Sequence, residues 1–367
     1  MFMVTLVVTK GFGSLEIYSQ NLAKRLDVPK IYVEGKFTRM FNIPTFSFQS
    51  IKNFYKEFLL YKTLKEINDA LHLPNQHFGR YIKLLRKKKV IITVHDLIRF
   101  LDLRCHKPLI QKPNARDKFY LQMDYDGIKK ASKIITVSNY TKKDITKFLK
   151  ISEEKVDVTY LGVDHENFKP LKNCSERPIK EPYILYVGSE QPRKNLTMLF
   201  KVFHLLKKDP RFKDLKLVKV GLSSSRGDPA FRKKTLETIR ELGLIRDVIF
   251  AGYVSNKDLA ILYSHAECFV LLSLYEGFGL PVLEAMACGC PVIASNVTSL
   301  PEIAGNAGIL VNPLDAGEIV KAIKMVILDE TLRKELIKKG LERVKAFSWE
   351  KCAKETLKTY KEIETSS

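Results

Sequence analysis

The sequence lacks a long apolar run, a leader-like start and a metal-ligand pattern. No stretch of its 367 residues approaches the roughly 20 apolar residues that a bilayer-spanning helix needs. The start, MFMVTLVVTKGFG, is apolar but has no basic n-region, which argues against a secretory signal and favours a buried first strand. Six cysteines are scattered, apart from Cys288 and Cys290, and none has zinc-ligand spacing. These absences predict reduced thiols, no metal site and a cytoplasmic protein.

Two classes of binding protein also lack support. Glu16 stands where the glycine loop KGFGSLE would need its last glycine to match GxGxxG, which argues against dinucleotide binding. No repeat of solenoid length is visible. Aromatic and basic residues do not interleave as they do in nucleic-acid-binding modules, so a basic nucleic-acid-binding protein has only the net charge in its favour.

The positive charge is large and uneven. Lys and Arg number 62 against 41 Asp and Glu, and +14 of the net +21 lies before His165. A basic half suits nucleic acid, an anionic membrane surface or phosphorylated substrates, and the alternative is a solvated, lysine-rich surface. The stretch 99–120 is basic and apolar together, which motivates the hypothesis of a peripheral protein on an anionic membrane.

Short apolar runs alternate with amphipathic segments along the whole chain. The predicted strands are 3–9, 30–33, 90–96, 133–138, 156–162, 183–188, 215–221, 248–252, 268–273 and 291–295. The predicted helices include 52–71 and 232–243. Buried strands separated by helices indicate parallel sheets covered on both faces. Two such series predict an α/β protein with two doubly wound, Rossmann-like domains, 1–165 and 166–347, and a last helix in 348–367 that packs back on the first.

The first strand of the second series ends in a candidate anion site. In YVGSEQPRKNL, Gly188 leaves the strand, and Arg193 and Lys194 precede the next helix. Two cations at a helix N-terminus act with the same sign as the helix dipole, and Arg can bind a phosphate with two parallel donors. The alternative for this pair is an ordinary charged surface.

Two glutamates bracket a glycine turn in LYEGFGLPVLEAMACG. Gly277 and Gly279 let backbone approach a ligand, and Pro281 fits the first turn of a helix. A carboxylate only accepts hydrogen bonds, so Glu284 could bind two neighbouring sugar hydroxyls, and Glu276 could bind a second polyol unit. The alternative is a helix start stabilised by Glu284, with Glu276 in solvent.

In combination these segments resemble retaining family-4 glycosyltransferases (glycosyl transferases group 1) of the GT-B fold. EGFGLPVLEA resembles the family's glutamate–seven residues–glutamate motif, and YVGSEQPRKN is similar to its diphosphate-binding segment. The stretch 287–315 resembles the ribose and diphosphate wall, and the form EQPRKN resembles the mannosyltransferase-like branch. The resemblance implies two lobes facing each other across a cleft, a nucleotide-sugar donor, and neither metal nor cofactor.

The resemblance also implies roles on the donor side. Glu284 would bind ribose, Lys194 the diphosphate, and Glu276 the transferred sugar. Many members carry Arg directly after the strand-exit glycine, where this chain has Ser189, and Arg193 is the candidate to compensate. The other donor-side residues are Gly13, Gly188, Tyr253, Val254, Phe278, Gly279 and Leu280.

On the acceptor side, His95 in ITVHDLIRF resembles the family histidine that sits beside the transferred sugar, although a lone histidine is more often structural. The remaining acceptor-side candidates are Gly11, Asn75, His77, Asp96 and Ser138. Ser138 precedes a helix, where capping is the alternative. The triplet in MDYD (123–126) resembles a metal-binding Asp-x-Asp, but it lies in a helical pattern and is interpreted as helix surface.

The predicted reaction is transfer of a hexosyl unit from a nucleoside-diphosphate sugar to an acceptor hydroxyl, with Arg193, Lys194, Glu276 and His95 as catalytic residues. GDP-mannose is the favoured donor, UDP-hexoses come next, and the expected acceptor is a glycan or lipid-linked glycan. A sugar phosphorylase or nucleotide-sugar epimerase on the same fold stays open, and a nucleic-acid-binding protein is the non-enzymatic alternative.

Overall fold

The computed structural model describes residues 3–11, 13–34, 48–85, 88–104, 108–171, 177–223 and 229–365. The chain forms two compact units. The first comprises Met1–Gly162 together with Trp349–Ser367, and the second comprises Val163–Ser348. The unit boundary after Gly162 lies three residues before the predicted domain boundary at 165/166, and residues 172–176 are outside the described part.

Each unit is built on one six-stranded sheet. The strands of the first unit are β1 (Val4–Lys10), β2 (Lys30–Glu34), β3 (Ala70–Leu73), β4 (Val90–Val94), β5 (Lys133–Thr136) and β6 (Val156–Val158). Those of the second unit are β7 (Tyr183–Val187), β8 (Lys216–Val220), β9 (Val248–Gly252), β10 (Cys268–Leu271), β11 (Val292–Ser295) and β12 (Ile309–Val311).

Helices connect the strands in both units. The helices before the unit boundary are α1 (Ser14–Arg25), α2 (Phe48–Glu66), α3 (Gly79–Ile82), α4 (Ile98–Arg104), α5 (Ala115–Ile128) and α6 (Asn139–Leu149). Those after it are α7 (Leu196–Lys207), α8 (Pro229–Glu241), α9 (Asn256–His265), α10 (Leu280–Ala287), α11 (Leu300–Ala304), α12 (Ala316–Leu328), α13 (Glu330–Arg343) and α14 (Trp349–Thr365).

All strand pairs are parallel, and both sheets are doubly wound as predicted. The strand order is β2-β1-β3-β4-β5-β6 in the first unit and β12-β11-β10-β7-β8-β9 in the second. The order reverses between β1 and β3 in one sheet and between β7 and β10 in the other. In doubly wound sheets such a switch point opens a crevice at the carboxyl ends of the strands. The loops after these four strands are therefore where a ligand is expected.

The central strands are buried on both faces. Every residue of β3, β4, β10 and β11 is buried, which explains why these segments are almost wholly apolar in sequence rather than alternating. In the first unit, apolar side chains from its own strands and the surrounding helices form the core.

Two short strands escaped prediction, and one predicted helix is too long. Segment 52–71 is not one helix, because α2 ends at Glu66 and Ala70 begins β3. Strands β3 and β12 have four and three residues, too few to show a periodicity of their own. β3 nevertheless lies beside β1 and β4, and its imidazole at His72 is fully buried.

The last helix, α14, belongs to the first unit. Its Thr359 donates a hydrogen bond to Asp157 of β6 at 2.7 Å, and its Glu350 pairs with Arg25 of α1 at 2.7 Å. None of the helices in the described part of the chain combines the length and apolar character that crossing a bilayer requires.

Candidate functional site

The two segments singled out in the second half meet at the switch point of the second sheet. Arg193 and Lys194 lie in a 3₁₀ turn between β7 and α7, and Glu276 lies in the turn between β10 and α10. Because β7 and β10 are neighbours in the sheet, their exit loops lie side by side. The sheet order thus brings together residues that are more than 80 positions apart in the chain.

Glu276 is the centre of a buried charged cluster. Its Oε1 accepts hydrogen bonds from Lys194 Nζ at 2.5 Å and from Ser273 Oγ at 2.6 Å. Its Oε2 accepts one from Arg193 Nη1 at 3.0 Å, and the same nitrogen donates to the Tyr275 carbonyl at 3.0 Å. Glu276 is only 8% exposed, which rules out the alternative of a glutamate in solvent. Ser273 escaped the sequence analysis, although its place two residues after the end of β10 could have indicated it.

The cluster fixes the protonation of its carboxylate. Burial alone would raise the pKa of Glu276, but the charges of Lys194 and Arg193 outweigh it and lower the pKa from 4.5 to about 2. Burial lowers the pKa of Lys194, and the neighbouring Glu276 offsets part of that effect. Two cations facing one carboxylate leave a net positive charge, which suits an anionic ligand.

Hydrogen bonds from Ser299 fix the backbone of the glycine turn after Glu276. Ser299 Oγ donates to the carbonyl oxygens of Glu276 at 3.0 Å and of Phe278 at 2.8 Å. Gly279 caps α10 with φ 115°, and a Cβ there would lie 2.8 Å from Leu300 Cδ2, so only glycine suits the position. Leu280 then begins the helix. The backbone from 276 to 280 is thus preorganised, as a binding turn needs to be.

Glu284 has a different environment from Glu276. It lies in α10 and accepts a hydrogen bond from the Tyr263 hydroxyl at 3.2 Å. Burial raises its pKa from 4.5 to about 7, the Tyr263 hydrogen bond opposes the shift, and Asp164 adds to it. One glutamate of the pair is therefore firmly ionised and the other titrates near neutral pH, a separation that suits different roles.

A glycine lies at the carboxyl end of three neighbouring strands of the second sheet: Gly188 directly follows β7, Gly221 directly follows β8, and Gly252 is the last residue of β9. Gly188 has φ 155°, and a Cβ there would lie 2.7 Å from the Tyr186 hydroxyl oxygen. Gly221 N donates to the Gly252 carbonyl at 2.6 Å. Directly after this pair, Leu222 and Tyr253 are 59% and 70% exposed, and Val254 is half-buried. Leu222 was not predicted, and its place at a strand exit beside that of Tyr253 is the signal that could have found it.

A second buried ion cluster lies near the carboxyl ends of β7 and β8. Glu190 Oε1 lies 3.0 Å from Lys219 Nζ and 2.7 Å from the Arg232 guanidinium, and both Glu190 and Lys219 have fully buried side chains. Arg232 also stacks over the Phe250 ring at 4.5 Å. Sequence analysis missed this cluster. A lysine inside the buried strand KLVKV is the signal for it, because a fully buried lysine needs a partner.

At the switch point of the first sheet, the side chain of Glu16 packs against the glycine loop. Gly11 and Gly13 follow β1, and the Glu16 side chain is packed against both, so a Cβ at Gly13 would overlap its carboxylate. Gln20 Nε2 donates to the Gly11 carbonyl at 2.8 Å. This packing provides a physical reason for the two glycines beyond ligand approach.

His95 lies against the loop that follows β3. Its Nε2 lies 2.9 Å from the Pro74 carbonyl oxygen, and its backbone N donates to Gln76 Oε1 at 3.2 Å. Within that loop Asn75 Oδ1 accepts a hydrogen bond from His77 N at 3.0 Å. The structure therefore places His95 against the loop that carries Asn75 and His77, and their acceptor-side roles stay predictions.

Of the remaining acceptor-side candidates, Ser138 caps α6 and Asp96 lies just before α4. Asp96 Oδ1 accepts from Ile98 N at 3.0 Å, and Ser138 Oγ accepts from Thr141 N at 3.1 Å. Ser138 is fully buried, and Thr141 Oγ1 lies 3.5 Å from the His95 carbonyl oxygen. The capping alternative for Ser138 is thus observed, and its helix start lies beside His95.

The Asp-x-Asp triplet is not helix surface, and that interpretation was wrong. Asp124 is 1% exposed and binds Arg80 through two parallel contacts of 2.8 and 2.7 Å, whereas Asp126 pairs with Lys83 at 3.1 Å and is partly exposed. The error arose because the buried partner Arg80 lies 44 residues away in sequence. Among the described residues, no three His, Cys, Asp or Glu side chains form a group that could hold a metal ion.

Two family models match the chain. One, described as glycosyl transferases group 1, covers residues 168–343, and the other, described as glycosyltransferase family 4, covers residues 16–167.

Curated relatives carry mannosyltransferase names. The chain is 33% identical over 308 residues to O-antigen chain mannosyltransferase B of Escherichia coli, covering 81% of this chain and 76% of the relative. It is 29% identical over 273 residues to the serotype-specific mannosyltransferase WbdA of the same species, covering 71% of this chain but only 32% of that longer protein.

A solved structure shares the whole fold. Sucrose-phosphate synthase from Thermosynechococcus elongatus superposes with a TM-score of 0.78 over 100% of both chains at 24% identity. At this identity the likeness is one of fold.

Proposed function

The chain belongs to the glycosyl transferases of group 1 and family 4, and from this membership we propose that it moves a hexosyl unit from a nucleoside-diphosphate sugar to an acceptor hydroxyl, with retention at the anomeric carbon. Its two six-stranded parallel sheets are those of the GT-B fold. The observation that carries the proposal is the buried cluster of Glu276, Arg193 and Lys194 at a sheet switch point. No metal or other cofactor is part of the proposal.

The barrier to this reaction is departure of the diphosphate as an oxocarbenium-like sugar forms. We assign Lys194 and Arg193 to the leaving diphosphate, where fixed positive charge stabilises the developing negative charge. Glu276 orients both cations and presents its carboxylate edge to the transferred sugar. The departing phosphate oxygen takes the proton of the acceptor hydroxyl, so the new glycosidic bond forms on the face that the diphosphate leaves.

The rest of the nucleotide fits the neighbouring strand exits. Glu284 is proposed to bind the ribose hydroxyls, which donate to its carboxylate. Exposed Leu222 and Tyr253 are proposed to flank the base, because both stand at strand ends with nothing packed over much of their surface. Arg193 is proposed to take over the role of the arginine that Ser189 replaces, since its guanidinium already lies against Glu276.

GDP-mannose is the donor that we propose first, with UDP-hexoses next. Two observations support this order: the EQPRKN form of the diphosphate segment, and the mannosyltransferase names of the relatives. A thermal-shift panel of nucleotides and nucleotide-sugars is the direct test. A ligand at more than tenfold its Kd should stabilise the protein by more than about 1.4 kcal/mol. Stabilisation by no nucleotide in the panel would count against the proposal, and turnover that requires inorganic phosphate would point to a phosphorylase instead.

We further propose that the acceptor is a glycan or lipid-linked glycan handled at an anionic membrane surface. The first half carries +14 of the net charge, and Phe119 on α5 is 63% exposed beside the exposed Lys118. Arg99, in the stretch that motivated the idea, does not face a membrane surface, because it is buried and paired with Asp102 at 2.5 Å. Within 99–120, residues 105–107 lie outside the described part.

Vesicle sedimentation tests this proposal. Vesicles with anionic lipid should bind the protein, and neutral vesicles should not. The double variant Lys118→Glu, Phe119→Ser should lose most of that binding. Lys233→Glu, Leu236→Ser on α8 is the matched control, since it also removes an exposed cation and an exposed apolar side chain, but from the second unit. Equal binding to both vesicle types would overturn the proposal.

A further inference from the structure

A chain of buried hydrogen bonds runs through the first unit from α14 to the neighbourhood of His95. The Tyr360 hydroxyl lies 2.7 Å from His72 Nδ1, and His72 Nε2 lies 2.7 Å from Thr93 Oγ1. Thr93 Oγ1 in turn lies 3.0 Å from the Tyr18 hydroxyl. His72, Thr93 and Tyr18 are each 0% exposed and Tyr360 is 3% exposed, so no water competes for these contacts.

The chain ends on the His95 ring. Tyr18 meets it edge to face, with ring centroids 4.8 Å apart and an interplanar angle of 84°. Edge-to-face packing is directional, because the positive ring edge points at the negative ring face. On its other side the His95 ring is held by the Pro74 carbonyl at 2.9 Å from Nε2. The orientation of this imidazole is thus set by one hydrogen bond and one aromatic contact.

The contact with Pro74 also sets the tautomer of His95. A carbonyl oxygen only accepts, so Nε2 must carry the hydrogen. Burial lowers the pKa of His95 to about 4, and the Pro74 hydrogen bond opposes that shift only in part. At neutral pH the ring is therefore uncharged, and its Nδ1 is a hydrogen-bond acceptor. Such an acceptor can bind a sugar hydroxyl, but only from a fixed direction.

His72 links Tyr360 of α14 to the other members of the hydrogen-bond chain. Burial lowers the pKa of His72 to about 3, so its neutral ring has one donor and one acceptor nitrogen. Each nitrogen has one hydroxyl partner, Tyr360 or Thr93. Loss of the Tyr360 hydroxyl leaves Nδ1 unpaired in a buried site, and the ring must then shift or change its tautomer. Either response alters the hydrogen bond to Thr93 Oγ1 and, through it, the environment of the Tyr18 hydroxyl, which Thr356 of α14 also contacts.

We propose that Tyr360 is a positioning residue for His95, acting through His72, Thr93 and Tyr18. The C-terminal helix thereby takes part in the reaction although it carries none of the predicted site residues. The inference rests on the proposed function to the extent that His95 contacts the transferred sugar.

The simpler explanation is that these contacts only attach α14 to its unit. Other contacts already do so, since Thr359 Oγ1 donates to Asp157 at 2.7 Å and Lys133 bridges to Glu362 at 2.8 Å. Thr359 is also buried and next to Tyr360 in sequence. Thr359→Val therefore removes one partly buried hydrogen bond of the same helix without removing any contact of the chain to His95, and it serves as the control.

A kinetic cycle is the first test. Tyr360→Phe should lower kcat by roughly 10- to 100-fold, the range expected when a group at a reaction centre is displaced. The same change in a His95→Ala background should have no further effect on kcat, whereas Thr359→Val should leave kcat unchanged in both backgrounds. An equal loss from Tyr360→Phe in both backgrounds, or an equal loss from Thr359→Val, would overturn the proposal.

The second test does not depend on activity. The sequence contains seven histidines, so ring-labelled histidine gives a small set of NMR signals, and His95→Ala identifies the one from His95. Tyr360→Phe should shift that signal, and Thr359→Val should not. An unchanged His95 signal in folded Tyr360→Phe protein rejects the inference. If no nucleotide-sugar is turned over by the wild type, the proposed function fails while this test still decides the positioning role.

Discussion

Glu276 Oε1 lies 2.5 Å from Lys194 Nζ, although the two residues are 82 positions apart in the chain. The pair exists because β10 and β7 are neighbours at the switch point of the second sheet. It joins the carboxylate proposed to contact the transferred sugar to the cation proposed to hold the diphosphate. Because Arg193 contacts the other carboxylate oxygen, the three side chains act as one charged unit.

Replacing each glutamate of the motif by alanine should separate the two roles. Glu276→Ala should lower kcat by roughly 10²–10³-fold with a small change in donor affinity. The two cations that stabilise the leaving group would lose the carboxylate that orients them. Glu284→Ala should mainly weaken donor binding. Steady-state kinetics and calorimetry with the donor distinguish these effects, and Glu330→Ala, at an exposed ion pair, is the control. The reverse pattern would mean that the two roles are exchanged.

Donor binding should depend on pH through Glu284. Its pKa is raised to about 7, and ribose hydroxyls donate best to the ionised carboxylate. The donor Kd should therefore fall about tenfold as the pH rises from 6 to 8, following the ionised fraction. Calorimetric titration at several pH values measures this. Glu284→Gln should flatten the profile, and a wild-type Kd that rises with pH would contradict the assignment.

The same group should affect stability in the opposite direction. A carboxyl group with a raised folded-state pKa keeps its proton while the unfolded chain loses it, so its contribution to the free energy of unfolding falls between pH 4.5 and about 7. Glu284→Gln should remove this part of the pH dependence in thermal unfolding. A variant that tracks the wild type at every pH would show that Glu284 does not titrate in that range.

The two aspartates of the MDYD triplet should behave very differently. Asp124→Asn removes the bidentate partner of the buried Arg80 guanidinium and leaves it the longer contact with Glu57 at 3.6 Å, so it should destabilise the protein by about 3 kcal/mol. Asp126→Asn removes a partly exposed pair and should cost about 1 kcal/mol or less. Chemical unfolding of the two variants measures both. If the triplet bound a metal ion instead, both variants would lose activity to a similar extent, and both would need more added divalent cation than the wild type.

The crossing of α3 and α5 should tolerate no side chain at Gly127. A Cβ there would overlap with the Gly79 carbonyl, which is backbone and cannot rotate away. Gly127→Ala should therefore destabilise the protein by about 3 kcal/mol or more, as forced overpacking at a close helix contact does. Gly243→Ala is the control, because its Cβ meets open space and only the positive φ of 68° opposes it. Equal losses in thermal unfolding would contradict a steric origin.

What could be predicted from the sequence was local along the chain. Buried parallel strands are apolar throughout, so the long strands and the two doubly wound units follow from composition over short windows. The turn from Glu276 to Leu280 joins β10 to α10 within one short segment. Its glycines and the proline that follows indicate its geometry directly. The short strand β3 gave no such signal, and so His72, which lies on it, was missed.

The order of the longer strands and helices, the glycine turn and the identity of the charged groups follow from the sequence alone, because each of these depends on neighbours within a few residues. Which side chains pair depends on the tertiary fold. Lys194 with Glu276, Arg80 with Asp124 and His72 with Tyr360 are pairs 82, 44 and 288 residues apart. The first pair forms because neighbouring strands of a sheet need not be neighbours in the chain, and the other two form where helices pack on each other or on the sheet. Burial lowers the pKa of His72, and the neighbouring cations lower that of Glu276 against the effect of its burial. Both effects need the folded unit, since water is removed from a side chain only when the unit has folded around it.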